Sequence, residues 1–215
     1  LGESARVSII IVGENDAPTA GTVAAQTINE GQSVTFTMVG ANDVDAGDSI
    51  SYDWDFNDDG VFELVGAGNT VTRTQAQLEA LGLDGRNGPA ATTEVNVRVR
   101  DSQGAFSSVV TVNLTINNVN PVANITGPTQ APPGSSLTFN FSATDASSVD
   151  TAAGFTFNVV WDDAQSPATA TGVTSGTTTR TFTDAGTYTA TVTVTDRDGG
   201  TSTDTHVVVI SQTYI

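Results

Sequence analysis

One pattern occurs twice in this chain of 215 residues, and it constrains the fold more than any other feature. Val95-Asn96-Val97-Arg98-Val99-Arg100 and Ala190-Thr191-Val192-Thr193-Val194-Thr195 both alternate in polarity or size. Each then stops at an aspartate, Asp101 or Asp196, and turns at a glycine, Gly104 or Gly199. A period of two places alternate side chains on one face, which marks a half-buried strand. The β-rich stretches that follow, residues 108–116 and 203–210, turn each pattern into a hairpin. A second echo sets the boundaries. Residues 8–20 and 112–123 each run a strand into Asn and Asp residues and then a proline, Pro18 or Pro121. Proline is excluded from central strands and holds the residue before it extended, so both stretches read as stiff linkers. The chain thus divides into a first domain at 14–118 and a second at 119–211. Residues 1–13 read as the last strand of an upstream repeat or a donated strand, and 212–215 as a tail. A period of about 100 residues describes separate modules in a row rather than a solenoid.

Helix signal is confined to residues 74–82. There Thr74 and Gln77 form a capping box and Gly82 suits the C-terminal cap. The expected fold is therefore all-β, two tandem sandwiches with one short helix in the first. The net charge is −17 and no lysine is present. Such a surface repels nucleic acid phosphates and anionic membranes and attracts divalent cations. With no cysteine and a single histidine, His206, the chain lacks disulfide staples and the ligands of transition-metal sites. His206 lies on an alternating strand and reads as a surface residue. No stretch approaches the roughly 18 apolar residues of a membrane span, so direct membrane insertion is not expected. No G-x-S-x-G, H-E-x-x-H or phosphate loop occurs, so no enzyme activity is expected. The chain begins at Leu1, which reads as a piece of a longer protein.

The segment from Tyr52 to Glu63 carries the densest chemistry. Tyr52, Trp54 and Phe56 alternate with acids, as in a strand with one buried face. Asp55, Asn57, Asp59 and Gly60 then take the spacing D-x-N-x-D-G, the front half of an EF-hand-type calcium loop. With Asp55 first, Asn57 and Asp59 fall at positions 3 and 5, and Gly60 makes the turn. Val61 offers its carbonyl at position 7, and Glu63 falls at position 9. Position 12 is Gly66 rather than a bidentate glutamate, so Glu63 or another loop has to complete the shell. In the second domain Trp161-Asp162-Asp163 passes directly to Ala164-Gln165. The loop site is therefore expected once, in the first domain.

These residues resemble a known family. Ile50-Ser51-Tyr52-Asp53-Trp54-Asp55-Phe56 with its acidic glycine loop resembles the W-D-F-G-D-G core of PKD (polycystic kidney disease) domains. Val160-Trp161-Asp162-Asp163 is similar to a reduced form of it. The hairpin from Gly186 to Gly200 resembles the family's Y-x-V-x-L-x-V-x-D-x-x-G hallmark. The linkers and the run from Asn42 to Asp48 resemble bacterial cadherin-like repeats. The resemblance implies immunoglobulin-like (PKD-type) sandwiches that serve as extracellular spacers or binding modules of surface or secreted proteins. It also implies calcium sites at the entrance of each domain. For the first domain the carried-over ligands are Asn15 or Asp16, with Asp43, Asp45 and Asp101. For the second they are Asn118 or Asn120, with Asp145, alone or together with Asp150, and Asp196. A linker-anchored ion of this kind would stiffen a rod of repeats.

Trp54 and Trp161 take the family's core position, and Phe62, Phe106 and Tyr214 are too scattered for a sugar-stacking platform. The sequons at Asn113, Asn124 and Asn140 carry little information, with Asn140 expected to face outward. The expectation is a calcium-stabilised, non-catalytic extracellular spacer or adhesion module. Its partners would be neighbouring repeats of the same protein, other copies of the chain, or a cell-surface or carbohydrate ligand. The alternatives are a substrate-binding accessory of a secreted polysaccharide- or protein-degrading enzyme, and a fibre subunit assembled by strand donation.

Overall fold

The computed structural model describes residues 13–85, 90–163 and 166–212. The strand expected over residues 1–13 thus lies outside the described residues except for Gly13, as does the tail beyond Gln212. The first module contains β1 (Thr22–Val23), β2 (Gln26–Asn29), β3 (Val34–Val39), β4 (Ser51–Asp55), β5 (Leu64–Ala67), β6 (Thr70–Arg73), the helix α1 (Gln75–Glu79), β7 (Ala90–Arg100) and β8 (Val110–Asn117). The second contains β9 (Val122–Thr126), β10 (Gln130–Ala131), β11 (Ser136–Thr144), the helix α2 (Ser148–Ala153), β12 (Phe155–Trp161), β13 (Ala168–Val173), β14 (Ser175–Thr181), β15 (Gly186–Thr195) and β16 (Thr201–Ile210).

Each module pairs a three-stranded with a five-stranded sheet, and the orders correspond strand for strand. They are β1-β3-β6 with β2-β8-β7-β4-β5, and β9-β11-β14 with β10-β16-β15-β12-β13. In both five-stranded sheets the short first strand runs parallel to the last strand of its module. The two repeated patterns are β7 and β15, each hydrogen-bonded to the strand that follows it and to the tryptophan strand.

The alternation works as strand geometry requires. On β3 Val34, Phe36 and Met38 are buried while Thr35, Thr37 and Val39 are exposed, and β11 alternates likewise around Leu137, Phe139 and Phe141. Trp54 is fully buried against Phe36 and Phe56, with centroids 6.1 Å away in both cases. Trp161 is 6% exposed and meets Phe139 edge-on at 4.5 Å and Phe182 at 5.5 Å. Both tryptophans are core residues, as their strand positions suggest. Each buries a large apolar surface and anchors its sandwich.

Three local features bear on the sites. First, α1 begins at the expected capping box, with Thr74 and Gln77 bonded reciprocally, and Gly82 takes φ of +77° beyond its end. Second, a further helix stands where the sequence suggested only a loop. In α2 the Ser147 side chain accepts the Asp150 amide, and Gly154 follows at φ of +76°. Ser147-x-x-Asp150 is a short-side-chain variant of the same capping logic. Third, β4 does not have one buried face. Asp53 and Asp55 are as buried as Tyr52 and Trp54, because β4 is an interior strand whose other face is also covered. Arg98 reaches Asp53 at 3.1 Å and lies between the rings of Phe62 and Phe106, at 4.2 and 3.9 Å from their centroids. Phe62 and Phe106, read from the sequence as scattered, come together here and present their faces to the partly exposed Arg98.

By its contacts the chain forms two compact bodies that cut across the sequence halves. One is built from Thr35–Thr72, Glu94–Asn113 and the chain up to Ala25. The other is built from Gln26–Val34, Arg73–Thr93 and Leu114–Ile215, as far as these are described. The second body thus includes the β2–β3 turn and α1 of the first module together with the whole second module.

Candidate metal centres

Among the described residues, four groups of three carboxylates bring one oxygen each to within 4.8 Å of one another. Unpaired like charges at that separation repel, so each group asks what neutralises it.

The first group is Asp55, Asp59 and Glu63, the loop anticipated from the D-x-N-x-D-G spacing. Asp55, at the end of β4, is 1% exposed and folds the loop around itself. Its Oδ1 accepts the Asp58 amide at 2.8 Å and its Oδ2 the Gly60 amide at 3.1 Å. Gly60 sits at φ of +83° and Asp58 at +56°, a left-handed pair that tightens the turn. Asp59 accepts the Val61 amide and the Asn57 side-chain amide, and Glu63 reaches back to the Phe56 amide. The Asn57 Oδ1 is buried with no hydrogen-bond donor. An orphaned amide oxygen among three carboxylates suits a hard cation that takes oxygen ligands. Val61 itself is 63% exposed.

The second group is Asp43, Asp48 and Asp101, at the entrance of the first module. Asp101 is 4% exposed; its Oδ1 accepts the amides of Gln103, Gly104 and Ala105, and its Oδ2 accepts the Asn15 side-chain amide at 2.9 Å. Burial pushes the Asp101 carboxyl up, but Asn15 and the three backbone donors outweigh it and hold it below the usual carboxylate value. The Asn15 Oδ1 and the Asp43 Oδ2 are buried without a donor. Asp45 stands outside this triplet and instead accepts the Asp16 backbone amide at 2.8 Å. Asp48 takes its place, held by the Ser102 hydroxyl at 2.8 Å and by Gln103. Only the folded hairpin turn brings Asp48 to Asp101.

The third group is Asp145, Asp150 and Asp196, at the entrance of the second module, and it repeats the second group's linker asparagine, loop aspartate and turn aspartate. Asp196 is 6% exposed; its Oδ1 accepts the Asp198 and Gly200 amides, and its Oδ2 accepts the Asn118 side-chain amide at 3.2 Å. The Asn118 Oδ1 and Asp145 Oδ2 are orphaned, like Asn15 Oδ1 and Asp43 Oδ2 in the first module. Asn120 lies beside this set. A Cβ on Gly200 would lie 2.9 Å from Asn120 Oδ1 and 2.7 Å from Asn118 Nδ2, so a larger residue there would press on both asparagines. Burial raises the Asp145 carboxyl, against the Ser147 amide, with Asp196 adding to the rise.

The fourth group, Glu30, Asp150 and Asp198, shares Asp150 with the third. Asp150 is fully buried. Its Oδ1 lies 2.6 Å from Arg197 Nε without hydrogen-bond geometry, so the contact is charge pairing alone, and its Oδ2 has no donor. Burial lifts its carboxyl to about 6, Arg197 opposes this, and Asp198 and Asp145 add to it. Glu30, 3% exposed, accepts the Val119 amide on Oε2 at 3.0 Å. Burial, with Asp150 and Asp145 nearby, lifts it to about 7 against that bond. Neither Glu30 nor Asp198 stood out in the sequence. Both sit in ordinary turns, and only tertiary structure carries them to Asp150.

Other acids have protein partners. Arg180 pairs with Asp163, and the Asp162 carboxylate accepts the Thr189 amide, so the end of β12 holds no counterpart of the Asp55 loop among the described residues. His206 is half-buried rather than a plain surface residue. Its Nε2 lies 3.1 Å from the Pro128 carbonyl and its ring meets Phe139 edge-on. Asn140 is exposed, as its place on β11 suggested.

Comparison with known proteins agrees with this architecture. A model described as bacterial Ig domain matches residues 15–115, and one described as PKD domain matches residues 118–210. No curated protein sequence matches the chain. Among solved structures, the fibronectin(III)-like modules of Clostridium thermocellum CbhA show 14% identity and a TM-score of 0.36, over 91% of this chain and 94% of theirs. The D00-D0 domain of intimin shows 14% identity and 0.32, over 91% and 100%. A Bacteroides ovatus glucan-utilization protein, SGBP-B, solved with a mixed-linkage heptasaccharide, shows 12% and 0.30, over 93% and 48%. Similarity this distant carries no argument about ligands. The chain is a tandem of immunoglobulin-like modules, a bacterial Ig domain followed by a PKD domain.

Proposed function

We propose that this tandem is a calcium-stabilised, non-catalytic spacer or adhesion segment of an extracellular protein. Modules of these families are usually extracellular, are typical of surface proteins or accessory modules, and are generally non-catalytic. Among the described residues no helix is long and apolar enough to cross a membrane.

The observation that carries the calcium reading is the repetition of one constellation. A linker asparagine, a loop aspartate and the aspartate after the penultimate strand converge in both modules. In both, the asparagine Oδ1 and a loop-aspartate oxygen are left without donors. Leaving several buried anionic oxygens uncompensated costs several kcal/mol each, and a cation removes that cost. The ligands are all oxygens, which favours calcium over softer metals. When bound, calcium supplies charge and fixed coordination rather than chemistry. The chain's own residues then tie linker positions Asn15 and Asn118 to the loops of the module that follows. Among the described residues the tryptophans are buried and Phe62 and Phe106 lie against Arg98, which counts against the carbohydrate-accessory reading.

Small-angle scattering of the chain in calcium and in EDTA tests the spacer role. The calcium form should give a longer, narrower distance distribution. Identical distributions would sink the stiffening role.

A further inference from the structure

The Glu30–Asp150–Asp198 group stands apart from the constellation that the two modules share, since the first module's entrance has no counterpart of Glu30 in its triplet. Its members lie in one compact body, which includes both Gln26–Val34 and Leu114–Ile215. Glu30 nevertheless belongs to the range matched as bacterial Ig domain, and Asp150 and Asp198 to the range matched as PKD domain.

Independently of the clustering, two buried side chains present oxygens without donors. Glu30 is 3% exposed and its Oε1 has no donor; Asp150 is fully buried and its Oδ2 has none. Gly85, at φ of +83°, leaves the space the Glu30 carboxylate needs, since a Cβ there would stand 2.5 Å from Oε1. The local cation is Arg197, and its guanidinium is already divided. It lies 2.8 Å from Asp84, 2.6 Å from Asp150 and 3.5 Å from Asp198. Among the described residues no arginine or histidine pairs with Glu30, Asp145 or Asp196. Glu30, Asp84, Asp145, Asp150, Asp196 and Asp198 gather here around Arg197. Arg197 and one divalent ion therefore leave this cluster of acids short of positive charge, and a second ion removes most of that local deficit.

We infer that the second module's entrance is a two-ion site, in which Asp150 serves one cation with Asp145 and Asp196 and a second with Glu30 and Asp198. The second ion clips the β2–β3 turn of the bacterial Ig module onto α2 and the β15–β16 turn of the PKD module. The two-ion site rests on the calcium reading above, and its failure is distinguishable from the failure of that reading.

Calcium stoichiometry of the full chain, by native mass spectrometry and titration calorimetry, tests it. Glu30→Gln should bind one ion fewer than the wild type and keep the ion that Asp196→Asn loses. Glu30→Gln is a neutral isostere, and its melt in EDTA should be no lower than wild type, which separates ion loss from misfolding. A wild-type stoichiometry and affinity in Glu30→Gln would overturn the second ion alone. A wild-type chain that takes up no calcium would overturn both readings. As an independent measurement, a crystal soaked in terbium should show two anomalous peaks flanking Asp150, and a single peak would overturn the proposal.

Discussion

Among the described residues the first module has two acid clusters of its own, the Asp55 loop and the Asp43–Asp48–Asp101 cluster, and lends Glu30 to a third place, whereas the second module concentrates its clustered acids at its entrance. At the end of β12, where the first module has its loop, the second has Asp162 and Asp163, and a backbone amide and Arg180 take these up. At the entrance, the position after the key aspartate is Ser102 in one module and Arg197 in the other. Ser102 hydrogen-bonds Asp48, and Arg197 pairs with Asp150. Acid content alone therefore does not mark a ligand. What separates Asp163 or Asp53 from Asp43 or Asp145 is whether the protein itself supplies a partner for the buried oxygens.

The largest test of this comparison lies in what the modules share. Trp54→Ala and Trp161→Ala should each cost about 3–5 kcal/mol. Calorimetry should show the loss in each variant's own module, and a tryptophan that could be truncated without loss would break the equivalence of the cores. Next come Asp101→Asn and Asp196→Asn. Each carboxylate accepts backbone amides and a linker asparagine, so each variant should cost about 1.5–3 kcal/mol without metal. Each should also lose the calcium-dependent stabilisation of its own entrance. Equal calcium responses in variant and wild type would remove these residues from the sites.

A smaller effect separates the two entrances by pH. The Glu30 carboxyl is raised from 4.5 to about 7 and Asp150 from 3.8 to about 6, so the folded metal-free chain holds protons that the unfolded chain releases. For raised acids that contribution is complete below the unfolded values and is lost as pH climbs through the folded ones. The metal-free second module should therefore melt at falling temperature from about pH 4.5 to about pH 7. The first module's Asp101 is shifted the other way and should lose stability only as pH drops into the acid range. Parallel pH profiles for the two transitions would contradict the difference. The smallest effect is Asp59→Ala. Asp59 is exposed, so metal-free stability should change by no more than about 0.5 kcal/mol. Calcium titration should lose only the loop ion.

Much of this was legible in the sequence because it is local. Period-two strands, the Thr74–Gln77 box, the D-x-N-x-D-G turn and the two tryptophans each follow from residues that are near neighbours in the chain. The linker asparagines and Asp101 or Asp196 required the family resemblance, since nothing in their own neighbourhoods says that they meet. Asp48, Glu30 and Asp198 were beyond reach because they sit in plain turns, and only the fold gives them their neighbours. The helix α2 was hidden because Ser147 to Gly154 is short and its cap is an aspartate–serine bond inside an acidic loop. Asp53 looked like a solvated face because the Arg98 that covers it is 45 residues away.

The central claim is that the orphaned oxygens at the two entrances await calcium, and differential scanning calorimetry of the chain in excess calcium and in EDTA tests it most directly. At a calcium concentration about a hundredfold above the dissociation constant, each site that binds only the folded state should add about 2.7 kcal/mol. Both transitions should therefore move to higher temperature in calcium. Superimposable melts would contradict the account.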